Sequence, residues 1–172
     1  MEQVTVSAYD PQWAAQYEQD KILISDALSD IVLGIEHIGS TSVPGLGAKP
    51  IIDIMVGIQD LDQLKEEHIT RLSGIGYEFV HHPDFPERRF FRRGAWRAGT
   101  HHLHVYQYKG DHWNKNLNFR NYLIRHPDAL EEYHRLKKDL GEKYKHDRAK
   151  YTEAKAPFIQ HIIGQAMKEE AE

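Results

Sequence analysis

The chain has 172 residues, 40% of them apolar and 28% charged, with a formal net charge of −4 when its histidines are neutral. These totals describe one soluble domain of ordinary size and exclude the strongly basic field of a non-specific nucleic-acid or membrane binder. Cysteine is absent, which excludes a disulfide framework and a thiolate metal site, and twelve histidines make the charge balance sensitive to pH below about 6.5.

The first residues, MEQVTVSAYDPQW, carry no basic and no apolar leader region. No apolar run approaches the roughly 20 residues that span a bilayer, so a cytoplasmic protein without a membrane partner is expected. Asp10-Pro11 opens a helix, because Asp can cap and Pro suits the first helical position. Trp13, Tyr17, Ile24 and Leu28 fall roughly on one face of that helix, which runs to about residue 29. Residues 31–38, IVLGIEHI, are short, β-branched and apolar, and predict a strand. A glycine-rich loop leads into PIIDIMVGI, expected as a central strand covered on both faces. Asp60 is placed to cap a helix over about 61–73, ending at Gly74 and Gly76. YEFVHH predicts a strand, HPDFPE a loop, RRFFRRG a strand, RAGT a connection and HHLHVYQY a strand of alternating character. Helical patterns follow over 113–125, over 128–143 with Asp128 as cap, and over about 150–168. The acidic end, residues 166–172, is expected to fray. No repeat and no long linker divides the chain, so a single domain over 1–172 is expected. The order α-β-β-α-β-β-β-α-α-α predicts an α+β fold, a mixed β-sheet flanked by helices.

The most unusual stretch is HIGSTSVPGLGAKPIIDIMVGI, residues 37–58. It does not fit the phosphate loop G-x-x-x-x-G-K-S/T, because the sixth position from Gly39 is Pro44. The dinucleotide fingerprint fails at Pro50, and a nucleophile elbow on Ser42 fails because Ser40 and Pro44 stand where glycines are needed. What remains is a Gly-Ser pair, a turn-rich connection and a strand with one acid. Gly39 lets backbone approach a ligand closely. Ser40 and Thr41 offer hydroxyls and backbone N–H groups to a phosphate, and Lys49 can approach it. Asp53 can hold a divalent cation against the same phosphate. A plain structural reading stays open: a Gly-Ser turn, with Asp53 capping a loop or pairing with Lys49.

In HHLHVY, His102 and His104 stand two apart and share one strand face. With Asp53 they make a reasonable site for Zn²⁺, Mn²⁺ or Fe²⁺; Mg²⁺ prefers oxygen donors. Glu36 and His37 are further potential ligands, and a hydrogen-bonded polar face is the alternative. In RRFFRR, Arg88 and Arg92 share a face with Phe90, and Arg89 and Arg93 share the other with Phe91. Arginine in pairs suits bidentate phosphate contact, and Arg89 is carried forward as a ligand contact beside the alternative of a charged edge strand. Tyr151 and Lys155 share a face of the last helix, and Lys155 is a pocket candidate or part of a solvated face.

IEHIGSTSVPGLGAKPIIDIMVGI, THHLHVY and YTEAKAPFI together resemble the GrpB family. The likeness runs from the first helix to about residue 163. It implies a branch of the nucleotidyltransferase superfamily with the polymerase-β-like fold. The superfamily pattern is Gly-Ser, then an Asp-apolar-acid strand, with a third acid from a later strand. Gly39, Ser40 and Asp53 match it; Met55 stands where the second acid belongs. The resemblance thus implies a nucleotidyltransferase acting through Asp53, moving a nucleotidyl group to a small acceptor. Two alternatives are a non-catalytic nucleotide- or phosphate-binding module and a histidine-based metal-dependent hydrolase. The expected ligand contacts are Gly39, Ser40, Thr41, Lys49, Arg89 and Lys155, and the expected metal ligands are Asp53, His102 and His104. The expected cofactor is a divalent metal, Mg or Mn, with Zn as a further option. The expected partner is a nucleotide or another phosphorylated small molecule; nucleic acid is not expected, and the oligomeric state is left open.

Overall fold

The run after Pro50 folds as an interior strand, and its side chains Ile52, Ile54, Met55, Val56 and Ile58 are fully buried. The computed structural model describes residues 6–95 and 98–171. Its strands are β1 (Gly34–Ile38), β2 (Ile52–Ile58), β3 (Glu78–Val80), β4 (Arg89–Ala95) and β5 (Ala98–Gln107), and its helices are α1 (Gln12–Ala27), α2 (Glu66–Gly74), α3 (Asp111–Arg125), α4 (Pro127–Lys143) and α5 (Arg148–Ala171). The five strands form one sheet in the order β1-β2-β5-β4-β3. β2 and β5 pair in parallel, and the other pairs are antiparallel. This is the expected α+β arrangement with a mixed sheet.

Side chains alternate across the sheet, so the two faces have different chemistry. On one face Ile52, Ile54, Val56 and Ile58 of β2, with Leu103 and Val105 of β5 and Phe91 of β4, pack against α1 and Leu72 of α2. The predicted α1 stripe supplies Trp13, Tyr17, Ile24 and Leu28 to that core. On the other face Ile38, Met55 and Tyr106 pack under Trp113 of α3. A further cluster, Leu123, Tyr133 and Ile162, ties α3, α4 and α5 together and captures Val43 and Leu46 of the glycine-rich loop.

Some boundaries differ from expectation. Asp60 caps only a short turn, Leu61–Gln63, by accepting the Asp62 N–H at 2.9 Å, and α2 begins three residues later at Glu66. Pro127 takes the first position of α4 and Asp128 lies in its first turn without capping it, since Pro is preorganised for that place. Residues 98–100 of the expected connection belong to β5, and residues 96 and 97 lie outside the described residues.

One carboxylate sits on the apolar stripe of α1. Asp20 is 5% exposed and accepts hydrogen bonds from the Tyr77 hydroxyl and from Arg93 Nη1, the latter at 2.8 and 3.0 Å. It joins α1 to β4 and to the start of β3. Removing one partner of a buried network strands the others. Asp20→Ala is therefore expected to cost about 3 kcal/mol, read as a lower urea midpoint at unchanged slope; an unchanged midpoint would deny the network a structural role.

Candidate functional site

The β1–β2 register sets Ile38 opposite Asp53, and the chain then turns at Gly39 with φ 72° and ψ −175°. That conformation is essentially restricted to glycine. A Cβ at Gly39 would lie 2.7 Å from Asp53 Oδ2 and 3.1 Å from Asp53 Cβ. The glycine thus makes room for Asp53 itself, whereas the sequence reading gave that room to a ligand. Ser40–Ser42 then form a single helical turn, with the Ser42 hydroxyl donating to the Gly39 carbonyl. Thr41 is buried. Its hydroxyl donates to the Ile51 carbonyl at 3.4 Å and meets His37 Nε2 at 2.9 Å.

The parallel β2–β5 register places His102 opposite Asp53 and His104 opposite Met55. Asp53 Oδ1 lies 3.0 Å from His104 Nε2 and 3.5 Å from His102 Nδ1. Burial opposes ionisation of Asp53, but the hydrogen bonds and proximity of His102 and His104 outweigh it and hold the carboxyl well below the usual carboxylate range. Behind His104 lies Arg88, between the rings of Phe85 and Phe90 at 4.6 and 4.8 Å. Its Nη2 contacts His82 Nδ1 at 2.8 Å and its Nη1 contacts His104 Nδ1 at 3.4 Å. A guanidinium only donates, so His104 Nδ1 accepts and Nε2 carries the proton shared with Asp53.

Asp53, His102 and His104 each present one ligand atom, and these atoms lie within 4.8 Å of one another. One carboxylate and two imidazoles fit a Mn²⁺, Fe²⁺ or Zn²⁺ ion better than Mg²⁺. Loading such an ion requires His104 Nε2 to give up its proton. Glu36 and His37 do not join this set. Glu36 is paired with Arg120 at 2.8 Å. His37 stacks on Tyr17 at 4.8 Å and is buried. Burial lowers its pKa from 6.5 to about 4, with Asp53 opposing and Arg120 adding to the shift. Met55 is fully buried beside Ile38, Tyr106 and Trp113, so the place of a second acid is an apolar plug.

Asp53 stands between two lobes of one cleft. The smaller, about 170 Å³, is lined by Lys49, Lys137, Arg148 and Lys155, with Thr41 and His102. The larger, about 350 Å³, is lined by His112, Lys115, Asn116, Phe119, Tyr133, Ile159 and Ile163. Ser40, Asp53 and Lys155 line both. Burial lowers the Lys155 ammonium; Asp53 opposes this, and Arg148 and Lys49 add to it. Of the predicted contacts, Gly39, Ser40, Thr41, Lys49 and Lys155 thus gather around Asp53, His102 and His104.

Arg89 does not. It faces Val105 across the strands, on the side of the sheet that packs against α1 and α2, and its Nη1 donates to the Pro86 carbonyl at 2.8 Å. A one-residue change of position reverses the face, so Arg88, which contacts His104, and Arg92, opposite His102, stand on the site's side of the sheet. Lys137 was missed. It lies four residues after Tyr133 on the buried side of α4, and a lysine on an apolar helix face was the available signal.

Fold and site together define an α+β protein with a carboxylate–imidazole cluster at the junction of a lysine-lined lobe and a partly aromatic one. The chain belongs to the GrpB family, whose pattern it matches over residues 3–165. It is 33% identical over 166 residues to the glutamate-rich protein GrpB of Alkalihalophilus pseudofirmus, covering 95% of each chain. The crystal structure of the conserved protein GrpB from Enterococcus faecalis is 36% identical, with a TM-score of 0.90, covering 98% of this chain and 100% of that one. A more distant match is the Cid1 poly(U) polymerase bound to MgGTP, at 10% identity and a TM-score of 0.45, over 74% of this chain and 44% of that one. That likeness is too distant to speak to chemistry.

Two outcomes follow from the geometry. Gly39→Ala is expected to cost about 1–3 kcal/mol and to push Asp53 away from His104, read as a lower urea midpoint with a changed His104 ring ¹⁵N shift; wild-type values in both would refute the close-approach reading. His37 is held below its unfolded value, so the unfolded chain binds its proton more readily. Stability is expected to fall by about 3 kcal/mol as pH drops from about 6.5 to about 4. His101, lowered by burial, adds in the same direction. The drop should shrink in His37→Gln, and an equal drop in that variant would assign it elsewhere.

Proposed function

We propose that this chain binds a nucleotide or a related phosphorylated small molecule together with one divalent cation. The phosphate enters the smaller lobe and the rest of the molecule lies in the larger. The observation that carries this reading is the meeting of the two lobes at Ser40, Asp53 and Lys155. Lysine and arginine side chains in the first lobe supply charge and hydrogen bonds to phosphate oxygens. Tyr133, Phe119 and Ile163 in the second supply apolar and aromatic surface, and His112, Lys115 and Asn116 beside them supply polar groups. Asp53, His102 and His104 would hold the cation, which would supply Lewis-acid polarisation of a phosphoryl oxygen.

Asp53 is the residue on which any turnover would rest. Nucleotidyl transfer by paired metals is the less favoured chemistry, because Met55 is packed beneath Tyr106 and Trp113 and that strand offers one carboxylate. Binding, with or without hydrolysis or transfer by a single cation, needs no second acid. A carboxylate forced in at Met55 would be buried among apolar side chains and would cost stability.

Thermal unfolding against nucleotides and other phosphorylated compounds, each with Mg²⁺, Mn²⁺ or Zn²⁺, tests the proposal on wild type and Asp53→Asn. A ligand at about 100 times its Kd stabilises by about 2.7 kcal/mol, a rise in Tm of roughly 5–10 °C for a domain of this size. The expected result is a metal-dependent rise that Asp53→Asn abolishes. A rise with metal alone, and none with any phosphorylated compound, would reduce the site to a metal centre.

A further inference from the structure

The smaller lobe contains a group that ordinary phosphate binding does not require. Lys137 is 2% exposed. Its Nζ donates to the Gly47 carbonyl at 2.9 Å and lies 5.4 Å from the centre of the Tyr133 ring. An ammonium has three N–H donors, and the described contacts of this one are a single carbonyl and a ring face. A buried charge held so thinly is costly. The charged and titratable groups around it are Tyr151, Lys155 and Arg148 of α5, Lys49 of the loop, Asp53 of β2 and His102 of β5, which line the same lobe. On its own helix stand Tyr133 and His134, the latter accepting the Gly47 N–H at 3.2 Å. The lobe therefore gathers Lys49, Lys137, Arg148 and Lys155 against one carboxylate.

We propose that this lobe selects the terminal phosphate of a monoester, and that Lys137 takes up a proton as the phosphate dianion enters. The inference rests on the phosphate reading above and names its substrate class: small molecules ending in a free phosphate, not phosphodiesters. The free site leaves Lys137 about half neutral near pH 7 and mostly neutral by about pH 8, since burial lowers its pKa from 10.5 to about 7, with Lys155 adding and Asp53 opposing. A monoester carries close to two negative charges above its second pKa of about 6, while a diester carries one. The second charge stabilises the ammonium and offers acceptors to the N–H groups that do not reach the Gly47 carbonyl. Proton uptake and binding are thereby linked: affinity is highest between about pH 6, where the monoester gains its second charge, and about pH 7, and is lost as pH rises further.

The test measures Kd for methyl phosphate and dimethyl phosphate on the full chain by NMR titration, with Mg²⁺ in fixed excess, from about pH 7 to about pH 9. In wild type the affinity for methyl phosphate should fall by about tenfold per pH unit over the part of this range in which Lys137 is neutral when free and charged when bound. Dimethyl phosphate should bind at least about tenfold more weakly than methyl phosphate near pH 7. Lys137→Met removes a buried charge at nearly constant length and is expected to fold; it should bind weakly and without the pH slope, while Lys155→Met keeps the slope. Calorimetry of wild type near pH 8, in two buffers of different ionisation enthalpy, should report uptake of about one proton. Binding without uptake, or an unchanged slope in Lys137→Met, overturns the role of Lys137 alone. Failure of methyl phosphate and inorganic phosphate to bind at any pH overturns the phosphate site with it.

Discussion

A carboxylate more than two-thirds enclosed by protein stays ionised only when donors reach it. Asp53, 28% exposed, draws its donor His104 from 51 residues away. The parallel pairing of β2 with β5 makes that possible, and much of the local structure answers to it. β1 is held in a register that brings Gly39 against the Asp53 side chain. Gly39 must adopt a conformation denied to other residues, and the Ser-Thr-Ser turn that follows is thereby aimed at the cleft. Arg88, wedged between two phenylalanine rings, fixes the other side of His104. The acid is thus gripped from two strands and one turn.

The two faces of the sheet divide the work. Even-numbered residues of β2 build the core with α1 and α2, while Asp53, Met55 and Gly57 face the α3 side. On that side Met55, Tyr106 and Trp113 form a dry floor that ends where Asp53 begins. The helical layer of α3–α5 closes over the acid and contributes Lys137, Arg148 and Lys155. The sheet therefore supplies the metal-binding type of donor and the helices supply most of the cationic ones.

Much of this was legible in the sequence. The run PIIDIMVGI could only be an interior strand, and the two-residue spacing of His102 and His104 put both rings on one face without knowledge of their partner. Gly39-Ser40 and Asp53 stood out because glycine before an apolar strand with a single acid is an uneconomical pattern unless the backbone needs it. Arg89 was misplaced because alternation separates Arg88 from Arg89 but does not say which face meets the site; that depends on the pairing of β4 with β5. Lys137 was overlooked for a different reason. A lysine on a helix is ordinarily solvated, and only the docking of α4 and α5 over the glycine-rich loop buries it. Asp60 looked like the cap of a long helix, and the chain used it for one turn before breaking at Leu64 and Lys65.

The strand order carries one more consequence. β1–β2 is an antiparallel pair of near neighbours in sequence, and β3–β4–β5 is another antiparallel set. Each can form early from local contacts, but the two halves join along a single parallel seam, β2–β5, which must await closure of a long loop. The cleft lies across that seam and also needs the last two helices. It is therefore expected to be completed late, and a ligand seated there would bridge the two pieces of the sheet. Contacts that form after the transition state slow unfolding more than they hasten folding, so such a ligand would act mainly by holding the finished molecule shut.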